Sequence, residues 1–403
     1  MKIQTKYGEV HVLANCPLLD STERLEWMTE VHESFDGTEL RYPLRDAPRQ
    51  VLSFNYVQMR KAMGDMFHVL YANLRKQWGI PLRQVKRSIP DMTDDDYIIL
   101  DATDTIADLR VGFAFIESNE GGRAVEITER GRYIIVQDEI RDPETDEVIQ
   151  ELITEYQDGF RLAENITATN AVIMPMRICI IEGDASINTG GFWSNTSMVF
   201  RVLAEDLPEF EAETPEQYKN QDIYWKPLLL DGDSLEMTLT QHQNIIDGDV
   251  GGFQWYSHHA KPRYTKPFRS LLRSWSEYQA YKHFLYRRAG RFREFWMPLY
   301  EQHLNVLNTA NINNVLNVDT SYVVEADRKH IAVKRKDGTW TAHAITAKTA
   351  NSITVSPAIN AQRKDIEFIY YLGLYRFDAD HIEFQFLGGG KSQVTVPIVE
   401  IEH

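Results

Sequence analysis

The sequence predicts an α+β fold, mainly β, in which two similar β-sheet domains each carry a helix and the first half carries an insertion. Three observations predict it. A helical pattern of apolar residues occurs once in each half, prolines flank both helices, and strand-like alternation follows each of them. The 403 residues also exceed the usual size of one domain two- to three-fold. We therefore interpret the chain as an internal duplication.

Each helix is predicted from apolar residues that recur every three or four positions, the period of one helix face. The first helix is expected near residues 58–78 and ends at Trp78-Gly79-Ile80-Pro81. The second is expected near residues 270–289, ahead of Phe295-Trp296-Met297-Pro298. The apolar positions are Met59, Met63, Met66, Phe67, Leu70 and Leu74 in the first helix and Trp275, Tyr278, Tyr281, Phe284 and Leu285 in the second.

The prolines around the two helices keep similar spacing. Ala47-Pro48-Arg49 precedes the first helix and Lys261-Pro262-Arg263 precedes the second. From the leading to the closing proline the distance is 33 residues in the first half and 36 in the second. A threonine follows 22 residues after each closing proline, at Thr103 and at Thr320. This agreement in order and spacing favours duplication over chance.

Strand-like alternation and turn residues define the expected domains. The strand-like segments 124–128 and 343–346 carry β-branched residues, and Gly121-Gly122 and Asp337-Gly338 supply residues suited to hairpin turns. The expected division is a first β domain at 1–182, an acidic insertion or linker at 183–248, and a second β domain at 249–403.

The composition narrows the class of protein. Hydrophobic residues make up 43% and charged residues 25%, as in a soluble globular chain, and the net charge of −16 disfavours binding to nucleic acid or anionic lipid over the whole surface. Two cysteines, Cys16 and Cys179, are too few for a disulfide framework or a thiolate-bound cluster. The sequence shows no apolar stretch expected to span a membrane and no signal peptide.

Two oppositely charged segments are the candidate subunit interface. Residues 261–293 alternate cations with aromatic rings, a pattern that suits single-stranded nucleic acid or an acidic protein surface, and residues 91–108 are rich in aspartate. We favour docking between subunits, with the two segments as partners across the contact. The predicted interface residues are Lys261, Arg263, Arg269, Arg273, Arg287, Arg288, Arg291, Asp94, Asp95, Asp96 and Asp104.

The sequence predicts no catalytic, cofactor-binding or metal-binding residues, so the protein is expected not to be an enzyme. His242, His258, His259, His283 and His303 fit no metal-ligand spacing, and the aspartates at 91–108 and 231–236 lack the pattern of a calcium loop. The Gly388–Gly390 run lies between two expected strands, which indicates a hairpin turn rather than a phosphate loop. A pair of carboxylates for glycoside hydrolysis stays open, because separation in space is not visible in sequence.

The motif Gly290-Arg-Phe-Arg-Glu-Phe-Trp-Met-Pro298 resembles tail-tip and baseplate proteins of long-tailed, non-contractile bacteriophages and of gene transfer agents. Pro262-Arg263-Tyr264 before the second helix, and the closing segments Leu374-Tyr-Arg-Phe-Asp-Ala-Asp-His-Ile-Glu383 and Val396-Pro-Ile-Val-Glu400, are also similar to such proteins. The resemblance covers mainly residues 255–403 and, through the duplication, residues 30–180 more faintly.

This resemblance implies two tube-like β domains in a structural virion protein, made in the bacterial host cytoplasm, that forms a ring between tail tube and tip. Expected partners are copies of itself, the tail tube protein and other tail-tip or baseplate proteins, with possible passage of DNA through the lumen. A hub-like trimer of pseudo-six-fold symmetry is favoured, because two domains in each of three chains match a six-fold tube. A hexameric distal tail ring is second. Some hubs carry a cysteine-bound iron–sulfur cluster, which two cysteines cannot hold.

Two other functions stay open from the sequence. A tail-associated hydrolase would use paired acids in a cleft. A module that binds host-surface glycans would stack sugars on exposed aromatic side chains, for which Trp193, Trp225 and Trp255 are the candidates.

Overall fold

The chain is described from a computed structural model, which covers residues 1–6, 8–34, 37–99, 109–141, 148–203, 215–229, 236–241, 243–249, 251–257, 262–319 and 328–401. The fold is mainly β, with large antiparallel sheets and two α-helices in these residues, as the sequence predicts. No helix among them is long and apolar enough to cross a membrane.

The elements fall into two series, one on each side of residues 203–216. The first series is β1 (Lys2–Thr5), β2 (Gly8–Val12), β3 (Thr22–Glu26), β4 (Thr29–Glu33), β5 (Glu39–Pro43), β6 (Arg49–Met59), α1 (Arg60–Asn73), β7 (Gln77–Pro81), β8 (Arg87–Ser88), β9 (Met92–Ile99), β10 (Gly112–Ser118), β11 (Gly121–Arg141), β12 (Val148–Ala168), β13 (Val172–Ile181), β14 (Ser186–Gly190) and β15 (Trp193–Val202).

The second series is β16 (Gln217–Tyr218), β17 (Gln221–Asp222), β18 (Thr238–Thr240), β19 (Gln243–Ile246), β20 (Gln254–Ser257), β21 (Arg263–Leu272), α2 (Trp275–Arg288), β22 (Phe295–His303), β23 (Asn311–Ile312), β24 (Val315–Asn317), β25 (His330–Arg335), β26 (Trp340–Lys348), β27 (Ser352–Ser356), β28 (Ala361–Gln362), β29 (Ile366–Phe377), β30 (His381–Gly388) and β31 (Lys391–Glu400). Both helices lie within the ranges expected from the sequence.

The two series have the same topology. In the first, β6 pairs with β15, β15 with β13 and β14, and β13 with β7 and β10. In the second, β21 pairs with β31, β31 with β29 and β30, and β29 with β22 and β25. Further out, β10–β11–β12–β9 is matched by β25–β26–β27–β24. We call residues 2–202 the first repeat and residues 217–400 the second repeat.

The strand registers show which residues are equivalent. Thr29 and Pro43 pair at the base of β4–β5, and Gln243 and Ser257 pair at the base of β19–β20, so the numbers differ by 214 at both positions. The same difference of 214 relates Val51 to Thr265, its counterpart in the next strand of the second repeat. Pro48 and Pro262 therefore precede equivalent strands.

The closing prolines are equivalent by the same kind of register. Pro81 pairs with Met176 in the first repeat, and Pro298 pairs with Leu372 in the second. The two strands that these prolines belong to lie at the same place in the two sheets. The spacing of prolines in the sequence thus marks equivalent positions in the structure.

The repeat also shows where one unit ends and the next begins. Strands β14 and β15 lie in the expected insertion at 183–248, but β15 pairs with β13 and β6 of the first repeat and β14 pairs with β15. Strands β16–β19, from the same expected insertion, have counterparts near the start of the first repeat. The pairings therefore divide the chain between Val202 and Gln217, whereas the sequence predicts boundaries at 182/183 and 248/249.

The two helices differ in how they are covered. Helix α2 begins at the N-cap Ser274, whose hydroxyl accepts from the backbone N–H of Glu277, while the Glu277 carboxylate accepts from the N–H of Arg273 just before the cap. It is buried on two sides. Helix α1 buries Met66 and Leu70 but leaves Phe67 and Tyr71 exposed, and the centroids of these two stacked rings are 6.2 Å apart. The exposed face of α1 is therefore unusually apolar.

Candidate functional site: the junction between the repeats

Strand β3 joins the two repeats into one continuous sheet. One of its edges pairs with β6 of its own repeat, as in the pair Glu23 and Leu52, and the other pairs with β30 of the second repeat, as in Glu23 and Phe384. The junction is therefore built by adding a strand of one repeat to the sheet edge of the other.

A buried ion pair lies at the centre of the junction. Glu23 of β3 accepts hydrogen bonds from Lys282 Nζ at 3.0 Å, from the Tyr278 hydroxyl and from Gln50 Nε2 at 2.8 Å. The side chains of Glu23 and Lys282 are 1% and 0% exposed. Removing either partner would leave a buried charge unanswered, so this pair ties helix α2 of the second repeat to the first.

The hairpin β4–β5, which we call arm 1, reaches across the second repeat. Its Glu39 carboxylate accepts two hydrogen bonds from the guanidinium of Arg376, at 2.7 and 2.8 Å, and one from Arg263 at 3.0 Å. Its Arg41 donates to Glu294 at 2.7 Å and to the carbonyl of Phe292 at 2.9 Å. Arm 1 is thus held by charge-assisted hydrogen bonds, which are stronger than neutral ones.

These contacts shift the acid–base behaviour of the junction. Burial alone would raise the pKa of Glu39, but hydrogen bonds from Arg376 and the charges of Arg376, Arg263 and Arg41 outweigh it and hold the pKa below its ordinary value. For Arg376, burial opposes the charged form, and its contacts with Glu39 and Asp378 raise the pKa above the ordinary value. Both groups are charged at neutral pH.

The segment between β3 and arm 1 is fixed at a glycine. Trp27 donates its backbone N–H to the carbonyl of Asp380, whose carboxylate accepts from the N–H of Thr29 at 2.7 Å and of Arg291 at 3.0 Å. Gly290 has φ +64°, and a Cβ there would lie 2.4 Å from Asp380 Oδ1 and 2.9 Å from Trp27 Cβ. The glycine of the Gly-Arg-Phe motif therefore permits the close approach of the first repeat.

The arginines expected at a subunit interface have partners within the chain. Arg263 binds Glu33 and Glu39, and Arg291 binds Asp378 at 3.2 Å. Arg287 and Arg288 both bind Asp222, which is 1% exposed. Burial also lowers the pKa of Arg288 to about 10.

The three remaining basic residues of the predicted interface are Arg269, Arg273 and Lys261. Arg269 accepts from Leu229 through its carbonyl, Arg273 donates its N–H at the α2 cap, and Lys261 lies outside the described residues.

The expected acidic partners lie on β9 and interact locally. Asp94 has φ 53° and accepts from Asn165 through its carbonyl, Asp95 accepts from the N–H of Tyr97, and Asp96 pairs with Arg161 at 2.9 Å. Asp104 lies outside the described residues. These contacts join the two predicted segments to other parts of the chain or lie within one segment, and none of them joins one segment to the other.

The junction pairs β3 of the first repeat with β30 of the second, and each of these two strands has a counterpart in the other repeat. Strand β18 is the counterpart of β3, and β14 is the counterpart of β30, yet in the described part of the chain β18 pairs only with β21 and β14 only with β15. Hairpin β19–β20, which we call arm 2, is the counterpart of arm 1 and is almost entirely exposed. The second repeat thus presents a strand edge and an arm, and the first repeat presents an acceptor edge.

Sequence reasoning missed these surfaces, although a weak signal was present. Arm 2 exposes Ile245, Ile246, Phe253 and Trp255, an unusual apolar content for a solvent-facing hairpin. The constant spacing of 214 from arm 1 would have identified its counterpart, but most of the aligned residues differ.

Two cavities offer little for carboxylate chemistry. A cavity of about 760 Å³ is lined by Cys16, Arg83, Arg87, Arg273 and Trp275 among others, and its described lining contains no Asp or Glu. A second, of about 430 Å³, is lined by Glu39 and Glu294, and Arg41 forms an ion pair with each of them. Among the described residues no group of three or more His, Cys, Asp or Glu is placed to hold a metal ion. His242, His258 and His259 lie outside these residues.

No protein-family model matches the sequence, and no curated protein matches it.

Proposed function

We propose that the protein is a structural building block of a ring in the tail tip or baseplate of a long-tailed bacteriophage or gene transfer agent, where it joins the tail tube to the distal tip. In this role the chain assembles with copies of itself, and its work is mechanical. The resemblance of the Gly290–Pro298 motif and of the closing segments to such proteins supports the viral setting.

The single observation that carries the ring is the junction between the repeats. One chain already makes a head-to-tail contact between two units of the same topology, and the two halves of a second such contact are unoccupied at its ends in the described residues. A contact that joins different surfaces of like units generates a closed ring when the rotation closes, or a filament when it does not.

A trimer is the favoured assembly. Three chains with two repeats each present six pseudo-equivalent units, which fits a six-fold tube on one side and a three-fold tip on the other. A hexamer, as in a distal tail ring, is the second arrangement. The same head-to-tail contact serves both.

The hydrolase and the glycan-binding module lack a comparable observation. Both acids of the smaller cavity are engaged by arginine, and the larger cavity has no described acid. Of the three candidate tryptophans, Trp225 is stacked on Trp340, with ring centroids 5.2 Å apart. Trp255 lies on arm 2, which the proposed assembly covers, and Trp193, at the start of β15, is 51% exposed.

The test is the mass of the purified protein in solution, measured by light scattering over a concentration series. A trimer of 46.8 kDa chains has a mass of about 140 kDa, and a hexamer twice that. We expect a discrete closed species. A monomer at every concentration, together with a cleared zone on a peptidoglycan gel, would replace the structural function by the hydrolase.

A further inference from the structure

We propose that β18 and arm 2 of one chain dock on the first repeat of a second chain, against β14, β13 and α1, and so repeat between chains the contact that joins the two repeats within one. This inference rests on the proposed function and names the surfaces that build the ring. The occupant of the acceptor edge is a second copy of this chain.

The strand register of the contact follows from the internal junction. Within the chain, Arg24 of β3 pairs with Glu383 of β30. The counterpart of Arg24 is Thr238, since both strands keep the spacing of 214. Ile187 pairs with Thr196 in the first repeat, and Phe384 pairs with Val394 at the same place in the second. Ile187 is therefore the counterpart of Phe384, and Ser186, one residue earlier, is the counterpart of Glu383. The proposed contact therefore pairs Thr238 of one chain with Ser186 of the next.

The buried ion pair of the internal junction is replaced by an apolar pair at the proposed contact. The counterpart of Glu23 is Met237, which is exposed. Helices α1 and α2 begin at Arg60 and Trp275, and with this alignment the buried Met66 and Leu70 match the buried Tyr281 and Leu285. The counterpart of Lys282 is then Phe67, which is 56% exposed.

The ion pair of Glu39 with Arg376, which we call the charged clasp, is also replaced by apolar side chains at the proposed contact. Glu39 of arm 1 has Phe253 of arm 2 as its counterpart, which is 57% exposed. In the second repeat, Val399 pairs with Arg376 on one side and with Thr265 on the other. In the first repeat, Arg201 pairs with Ile180 on one side and with Val51, the counterpart of Thr265, on the other. Ile180 is thus the counterpart of Arg376, and it is 37% exposed although its strand is otherwise mostly buried.

The two replacements match on both sides of the contact. Where the internal junction places acid against base, the proposed contact places Met237 against Phe67 and Phe253 against Ile180. Substitution on one side only would bury a charge against an apolar surface, which is costly. The matched change also prevents arm 1 of one chain from replacing arm 2 of another, because Glu39 would then face Ile180.

A strand residue supports the same arrangement. Leu25 of β3 is fully buried in the core of the second repeat, whereas its counterpart Leu239 is 58% exposed on β18. The counterpart of the core residue Phe384 is Ile187, which is only partly buried against the core of the first repeat. Docking of β18 on β14 would cover both apolar side chains.

The first experiment introduces the residues of the charged clasp at the counterpart positions of the contact between chains. Phe253→Glu and Ile180→Arg are each expected to abolish the ring, because each places a charge against an apolar surface. The double variant Phe253→Glu/Ile180→Arg recreates the pair of Glu39 with Arg376 and is expected to restore ring mass. Mass is measured by light scattering, and thermal unfolding checks that each chain is folded.

Leu307→Glu is the matched control, since Leu307 is 56% exposed and lies outside the proposed contact. It should assemble as the wild type does. A wild type that forms the ring while both single variants also form it would overturn these surfaces and leave the proposed function standing. A wild type that stays monomeric would overturn both.

The second experiment fixes the register. In a Cys16→Ser background, Thr238→Cys/Ser186→Cys is expected to give disulfide-linked chains on oxidation, and the ladder should end at the number of chains in the ring. Thr238→Cys/Thr189→Cys, three residues out of register, should link poorly. Equal linking of both pairs, or linking of neither in an assembled ring, would contradict the proposed pairing.

Discussion

At the scale of single residues, the junction is held by a few buried charges. Glu23 with Lys282, and Glu39 with Arg376, each place a carboxylate against a cation where both side chains are at most 4% exposed. Buried pairs of this kind contribute less to net stability than their geometry suggests, but breaking one is costly. Their main effect here is to specify which surfaces meet.

Loss of one member of the central pair is expected to destabilise the chain strongly. Lys282→Ala leaves Glu23 buried beside Tyr278, and we expect the free energy of unfolding to fall by about 3–5 kcal/mol. The double variant Glu23→Met/Lys282→Phe installs the apolar pair found at the counterpart positions. It should recover most of that loss in urea unfolding, and a double variant no more stable than Lys282→Ala would show that the two sites are not equivalent.

The pH dependence of stability is expected to carry the signature of Glu39. Because the pKa of this carboxyl is below its ordinary value of 4.5, its contribution is fully present above that pH and is lost as pH falls toward the lowered pKa. Glu39→Gln should therefore cost on the order of 3 kcal/mol at pH 7 and progressively less below pH 4.5. A cost that stays constant across this range would rule out the charged clasp.

At the scale of elements, the two arms have the same register but opposite surroundings. Arm 1 is fixed on the second repeat of its own chain, whereas arm 2 projects apolar side chains into solvent. An exposed strand edge and an apolar hairpin are liabilities for a monomer, because they promote association. Their presence together favours a chain whose working state is assembled.

Deleting the arms separately is expected to give opposite outcomes. Replacement of 29–43 by a short Gly-Ser turn removes the clasp on Arg376 and should lower the melting temperature of the chain. Replacement of 243–257 by the same turn should leave the melting temperature of the monomer nearly unchanged and abolish the ring. Differential scanning calorimetry and light scattering measure the two effects, and a ring that survives loss of arm 2 would contradict its role.

The sequence predicted the elements better than their connections. Periodicity located both helices, since Met66 and Leu70, or Tyr281 and Leu285, mark an apolar face by themselves. The proline spacing marked equivalent strands because Pro48 and Pro262 directly precede the strand before each helix, and Pro81 and Pro298 lie in the strand after it. The arms were not found, since only Gly37 with Gly251 and Tyr42 with Tyr256 are identical between them at the spacing of 214, and the residues that bind arm 1 are far away in sequence.

The predicted site shows the same limit. An arginine-rich segment is visible in sequence, but the acids that bind it are not. Arg263 finds Glu39 from more than 200 residues away, and Arg287 finds Asp222. Whether such arginines face another subunit depends on long-range strand pairing, which local patterns do not encode.

The internal partners of the arginines determine which residues can be used to test assembly. Reversing Arg287 and Arg288 to Glu would place acids beside the buried Asp222 and disturb the second repeat itself. Tests of assembly therefore belong on the exposed positions of arm 2.

At the scale of the whole molecule, the chain is a pair of topologically identical units joined head to tail, with the next donor and the next acceptor at its two ends. Fusion of two units in one chain fixes one contact permanently and leaves one to form on assembly. The fused contact uses ion pairs and the open one uses apolar side chains, so alternate contacts around a ring would differ in chemistry while sharing one geometry.

Electron microscopy of the assembled protein tests this account most directly. We predict a closed ring of three chains in which six repeats follow one another around the axis, with β18 of each chain continuing the sheet at β14 of the next. Isolated monomers, or a ring whose chains meet through surfaces other than arm 2 and β14, would contradict it.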